Sequence, residues 1–113
     1  MKLHGTSTLG FPRMGPNREL KKALEEYWKG NSAPEVLLKA LHEVEKMAWD
    51  LQSQAKVHRI SVGDSYLYDG ILAWADYLGL VPARHQHHQP GMDRLFAMAR
   101  GVDGAPALSK SNQ

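Results

Sequence analysis

The chain has no cysteine. That excludes a disulfide framework, a thiolate metal site and a cysteine nucleophile. It has no apolar run near the roughly 18 residues that a membrane span needs. Its first ten residues, MKLHGTSTLG, lack the apolar core of a secretory signal. A cytoplasmic location with no membrane partner is the resulting expectation. Charge of one sign is scarce as well: 14 Lys and Arg face 12 Asp and Glu, a net +2. Binding to nucleic acid needs a denser basic stripe, so no nucleic-acid partner is expected. What surplus exists lies in the first thirty residues, where six basic side chains meet three glutamates.

What is present is ordinary for a globular chain. Its 113 residues are 42% hydrophobic and 23% charged, enough for one domain with a modest core. Thr6 to Phe11 is rich in small and β-prone residues and predicts a short strand. A loop follows from Pro12 to Pro16. Asn17 then predicts an N-cap for a helix over Arg18–Lys29, with Leu20, Leu24 and Tyr27 on one face and Gly30 as the stop. Ser32 with Glu35 has capping-box spacing, and Pro34 sits in the first turn. Leu37, Leu41, Val44, Ala48, Leu51 and Ala55 form a continuous apolar stripe along the helix that follows. That stripe predicts a helix lying on a sheet, since it is short for a coiled-coil seam.

Arg59 to Asp64 predicts a second strand, and Tyr68 to Leu78 a third helix with Ile71, Leu72, Ala75 and Leu78 inward. Asp93 predicts the cap of a short fourth helix ended by Gly101. The tail from 102 to 113 predicts a disordered end. The order β-α-α-β-α-α implies parallel pairing through right-handed crossovers. The expected fold is therefore α/β: a helix-rich opening portion of a (β/α)8 TIM-type barrel, incomplete as a barrel, over residues 1–101.

The stretch LGFPRMGPNRELKKALEEYWKG, Leu9 to Gly30, is long and peculiar in composition. It closely resembles the N-terminus of the cobalamin-independent methionine synthase family, the 5-methyltetrahydropteroyltriglutamate–homocysteine methyltransferases. The resemblance continues through LQSQAKVHRISVGDSYLYDGIL, LGLVPARHQ and DRLFAMARG, from about Thr8 to Gly101. It implies two barrels in the intact enzyme, with zinc, homocysteine and the catalytic histidine in the C-terminal one. This chain then holds no catalytic residue and binds no zinc. The family's RELK motif, present as Arg18, Glu19, Leu20 and Lys21, is implied to contact the polyglutamate of the methyl donor, 5-methyltetrahydropteroyltri-L-glutamate. The partner implied is thus a small molecule. Lys110 is not carried over as a site, because the tryptophan of the family's TKW motif is replaced by Ser111. In the second strand Arg59, Ser61, Ser65 and Gly70 depart from the family's usual apolar residue, proline, phenylalanine and histidine. An alternative function is a non-catalytic remnant that associates with itself through unpaired sheet edges, or docks on a partner.

Each candidate has a plainer reading. A glutamate tail is a flexible polyanion, and free N–H groups and the dipole favour an anion at a helix N-terminus. Arg18 and Lys21 are three apart and share a side, and Arg13 is expected to reach the same region. The plain alternative is a solvated face with Lys21–Glu25 and Lys22–Glu26 pairs. His85, His87 and His88 have chelating spacing, but without Cys or a placed carboxylate they predict a polar loop. Asp64 and Asp69 could form an acid–base pair; a cap at Asp64 or Ser65 is the expected role. Trp28, Trp49 and Trp74 predict packing residues.

Overall fold

The computed structural model describes residues 4–108. The chain forms two compact units, residues 1–67 and 68–113. The first unit is built on α1, Glu19–Trp28, and α2, Pro34–Gln54. Leu20 and Leu24 of α1 and Leu37, Val44 and Ala48 of α2 are buried, and the two helices pack together. The apolar stripe of α2 therefore covers a helix, not the sheet that the sequence predicts.

The two expected strands shrink to one parallel bridge, Ser7 with Arg59, where Arg59 N donates to the Thr6 carbonyl at 3.0 Å. No barrel is formed by the described residues. An isolated pair of strands cannot hold itself together, because each buries only one ladder and one face. Leu9 and Val62, in the segments expected as strands, are exposed.

A buried amide takes over the work of the ladder. Gln52 is 2% exposed on the inner side of α2, where the sequence stripe predicts Leu51; Leu51 is 50% exposed. Gln52 Oε1 accepts from Ser61 N at 2.8 Å and from Thr8 Oγ1 at 3.1 Å, while Nε2 donates to the Ala48 carbonyl at 3.2 Å. Three separate stretches of chain thus meet on one side chain. Ser61 Oγ also donates to Asp64 Oδ2. Of the polar departures in the second strand, Ser61 is satisfied by these partners.

The helix ends correct several expected caps. Arg18, not Asn17, is the N-cap of α1. Ala33, not Ser32, caps α2, because Pro34 is the first helical residue and biases its predecessor to the extended region (φ −75, ψ 158). The Ser32–Glu35 pair keeps capping-box spacing but sits one residue too early to form one. At their C-termini α1 and α2 close alike. Gly30 N bonds the Tyr27 carbonyl and Asn31 N that of Glu26; Lys56 N bonds Ser53 and Val57 N bonds Gln52. Both are Schellman endings. Lys56 adopts φ 57 there, in the left-handed region where glycine usually sits.

In the second unit α3, Gly70–Tyr77, packs with α4, Met92–Arg100, and α4 with the short 3₁₀ turn Ala83–His85. Asp69 is the cap of α3, accepting from Leu72 N at 2.8 Å, in place of Asp64 or Ser65. Gly91 precedes α4, and Asp93 lies in its first turn. Leu72, Ala73 and Asp76 face inward, and Arg94 donates to both the carboxylate and the carbonyl of Asp76. Ile71 (87% exposed) and Leu78 (66%) face outward, against expectation, as do Trp74 and Tyr77. The described part of the tail, 102–108, is not frayed. Val102 and Ala105 form an antiparallel bridge, and Ala105 and Ala107 are buried. Residues 109–113, Lys110 among them, lie outside the described residues.

Replacing Gln52 by Leu should destabilise the chain by about 1–2 kcal/mol, since it takes the acceptor from the half-buried Ser61 N–H, while the exposed Thr8 hydroxyl turns to water. Leu51→Gln should stay within about 0.5 kcal/mol, as an exposed change. Urea unfolding of the two variants measures both. A neutral or stabilising Gln52→Leu would remove Gln52 from its central place.

Candidate ligand-binding site at the start of the first helix

The loop entering α1 is held from several sides. Arg18 N donates to the Gly15 carbonyl at 3.2 Å, and Leu20 N to that of Met14 at 3.1 Å. Arg18 itself is left-handed, φ 59 and ψ 37. That region costs a non-glycine residue about 1 kcal/mol or more. The surrounding bonds, and the fully buried Leu20 beside it, over-determine the turn and keep Arg18 there.

The four motif residues divide by environment. Leu20 is 0% exposed, so its side chain belongs to the core. Glu19 folds back on the loop: its Oε2 accepts from Asn17 N at 3.0 Å. Gly15, at φ 81, leaves the space this carboxylate fills; a Cβ there would collide with Glu19 Oε2. Arg18 and Lys21 remain exposed, on the N-cap and in the first turn. Lys21 Nζ stands 3.7 Å from Glu25, with both side chains about half exposed (51% and 48%). Such a surface pair is worth less than about 1 kcal/mol and yields easily to a better anion. Lys22 does not pair with Glu26. Asn31 and then Lys29 occupy that carboxylate instead, and hold its pKa below the ordinary value.

Arg13 does not join the group. Its Nη1 donates to the Tyr66 carbonyl at 3.1 Å, and its guanidinium lies over the Tyr66 ring, 5.0 Å from the centroid. A groove of about 260 Å³ runs beside the loop, lined by Phe11, Pro12, Gly15, Val44, Met47 and Leu51 among others. Its walls are apolar and suit no polyanion.

The histidine loop is structural at one position that the sequence does not flag. His85 is 0% exposed, and its Nε2 lies 3.0 Å from the Pro106 carbonyl, which also accepts from Arg84 Nε at 3.0 Å. A carbonyl only accepts, so His85 carries its proton on Nε2. Asp64 accepts from Ser61 Oγ, and Asp69 from Leu72 N at the start of α3. The residues do not fit zinc. There is no Cys, and among the described residues no three His, Asp or Glu side chains stand where they could hold a metal. Among the described residues no helix is long and apolar enough to cross a membrane.

A sequence model described as the N-terminal domain of cobalamin-independent synthase matches residues 5–112. The chain belongs to this family. A Synechococcus protein named 5-methyltetrahydropteroyltriglutamate–homocysteine methyltransferase is 52% identical over 103 residues. Proteins of the same name from Trichodesmium erythraeum and Salmonella choleraesuis are 48% identical over 103 residues and 49% over 108. These matches cover 91%, 91% and 92% of the chain but only 14% of each relative. The chain thus matches about one-seventh of their length, within the N-terminal domain of cobalamin-independent methionine synthase.

Burial, and next the neighbouring His87 and His85, hold the His88 pKa below its ordinary 6.5. A depressed histidine stabilises the fold above the unfolded pKa and loses that contribution as pH falls. Between about pH 7.5 and 5.5 the urea midpoint should therefore fall more in the native chain than in His88→Gln. Equal falls would show that His88 is not coupled to folding.

Proposed function

We propose that this segment contributes the contacts for the glutamate tail of the methyl donor in a cobalamin-independent methionine synthase. Arg18 and Lys21 are the residues that hold it. The observation that carries the reading is the division of the motif: Leu20 and Glu19 are turned into the structure, and the two cations are left facing solvent at one helix start. The names of the relatives supply the donor, a pteroyltriglutamate, and the acceptor, homocysteine. Methyl transfer between them belongs to the whole cytoplasmic enzyme, and this chain contributes binding and scaffold to it. The parallel bridge and the exposed Leu9 and Val62 support reading the segment as the opening of a (β/α)8 barrel, whose further strands cover those side chains.

Binding of a tail by surface cations is electrostatic and adds little per contact. NMR titration of the chain with triglutamyl and monoglutamyl 5-methyltetrahydrofolate should shift the amides of residues 18–21 more strongly with the former. Reversing both Arg18 and Lys21 to Glu should weaken the triglutamyl ligand by about 5- to 30-fold, from roughly 0.5–1 kcal/mol per contact. Lys22→Glu, further round the helix, is the control, and salt should shrink the difference. Equal loss for both ligands, or an equal effect at Lys22, would defeat the assignment.

A second reading, self-association, draws support from one observation. Ile71, Trp74 and Leu78 repeat at helical spacing on α3 and are 87%, 65% and 66% exposed, with Tyr77 edge-on to Trp74 at 5.9 Å. This face supports it better than a sheet edge does, since a single parallel bridge offers little edge. Sedimentation at several concentrations should show a dimer that Trp74→Glu dissociates. A monomer throughout would dismiss this reading.

A further inference from the structure

We infer that Glu19 positions Arg18 at the candidate site and does not itself touch the ligand; the inference rests on the tail-binding reading above. Among the motif residues Glu19 is an oddity. A carboxylate beside a bound polyanion repels it, so by its field alone this residue weakens the site. Its geometry gives it another task.

Glu19 is the first residue of α1, and its side chain points backward, away from the helix. Oε2 accepts the Asn17 N–H at 3.0 Å. Its carboxylate packs into the space that Gly15 leaves open, with Val44 Cγ2 on the far side of that space, 3.2 Å from where a Gly15 Cβ would stand. The residue enclosed between these anchors is Arg18. Its own N–H is bonded to Gly15, and its carbonyl accepts from Lys22 N at 3.0 Å. Arg18 is left-handed at φ 59, a costly conformation that the bonds on both flanks sustain, the Glu19–Asn17 bond among them. Release of Asn17 lets Arg18 relax to an ordinary backbone region. The Cα–Cβ direction then turns, and the guanidinium leaves its place at the start of the helix. Glu19 therefore controls where the charge of Arg18 sits.

The two roles predict opposite signs. If Glu19 acts only through its charge, removing it strengthens binding of a triglutamyl ligand. If it positions Arg18, truncating it weakens that binding although a repulsive charge has gone. The test uses the full 113-residue chain, with triglutamyl and monoglutamyl 5-methyltetrahydrofolate as probes and NMR as the readout. Circular dichroism checks that each variant is folded. Glu19→Ala should lose about threefold or more of the triglutamyl affinity, the share of one misplaced surface cation, with the monoglutamyl affinity unchanged. Glu19→Gln keeps an oxygen to accept from Asn17 and should bind as well as the native chain or better. Gly15→Ala, which expels the carboxylate while keeping its charge, should reproduce the loss and serves where Glu19→Ala does not fold.

Tighter binding in Glu19→Ala, or a loss in Glu19→Gln equal to that in Glu19→Ala, overturns the positioning role. If Glu19→Ala and Gly15→Ala bind like the native chain while reversal of Arg18 and Lys21 abolishes the triglutamyl preference, the inference falls and tail binding stands. If that reversal changes nothing, tail binding falls, and the inference with it.

Discussion

The first unit depends on the amide of Gln52. Among the described residues the N-terminal segment and the segment after α2 share one bridge and the hydrogen bonds between Thr6 and His58, all near their outer ends. Further along, each is bonded to the same side chain, Thr8 by its hydroxyl and Ser61 by its N–H. An amide suits this position because it offers an acceptor to the two segments and a donor to its own helix. A leucine there would satisfy the helical stripe but take the acceptor from the half-buried Ser61 N–H, and an unpaired part-buried donor costs free energy. The break in apolar periodicity at Gln52 is thus the feature that joins helix to segments.

The entry to α1 shows a second economy of the same kind. Its loop contains two prolines, which limit the freedom lost on ordering, and Gly15, which allows the close approach of Glu19. Leu20 anchors the turn in the core, and Glu19 ties it to the loop. Only after these two residues are committed inward does the chain present Arg18 and Lys21. The strain at Arg18 is sustained by packing, and its effect is to fix a cation at the end of a helix where anions are already favoured.

Much of this was legible in the sequence, and the misses have definite causes. All four helices appear where periodicity predicts them, because α1 and α2 each carry an apolar face that only another element can cover. The caps were misread where a local rule was outranked by a neighbour. Pro34 set the start of α2 and left Ser32 a residue too early. Asp69, the last carboxylate before Gly70, outcompeted Asp64, which Ser61 had engaged. The inner face of α3 was rotated in the reading because Asp76 looks like a surface residue. Only its pairing with Arg94, eighteen residues on, allows it inside. His85 was read with its neighbours as polar loop, since no sequence signal announces a carbonyl as distant as that of Pro106. In the motif, the four letters were legible as a group, but their split into two inward and two outward residues was not.

The polar departures in the second predicted strand show how such a family segment tolerates change. A serine in a buried barrel strand is costly when its hydroxyl and N–H lack partners. Here Ser61 gives its hydroxyl to Asp64 and its N–H to Gln52, so neither is stranded. Asp64 in turn lies against Gly10, where a side chain at that glycine would press on its carboxylate at 3.1 Å. The substitution therefore sits inside a closed set of contacts linking the first loop, α2 and the segment after it. That set and the site at α1 use different residues. Ser61 can thus stand in place of the family's usual proline while Arg18 keeps its backbone conformation, because the bonds beside Arg18 run through Gly15, Asn17 and Glu19 and not through the predicted strand.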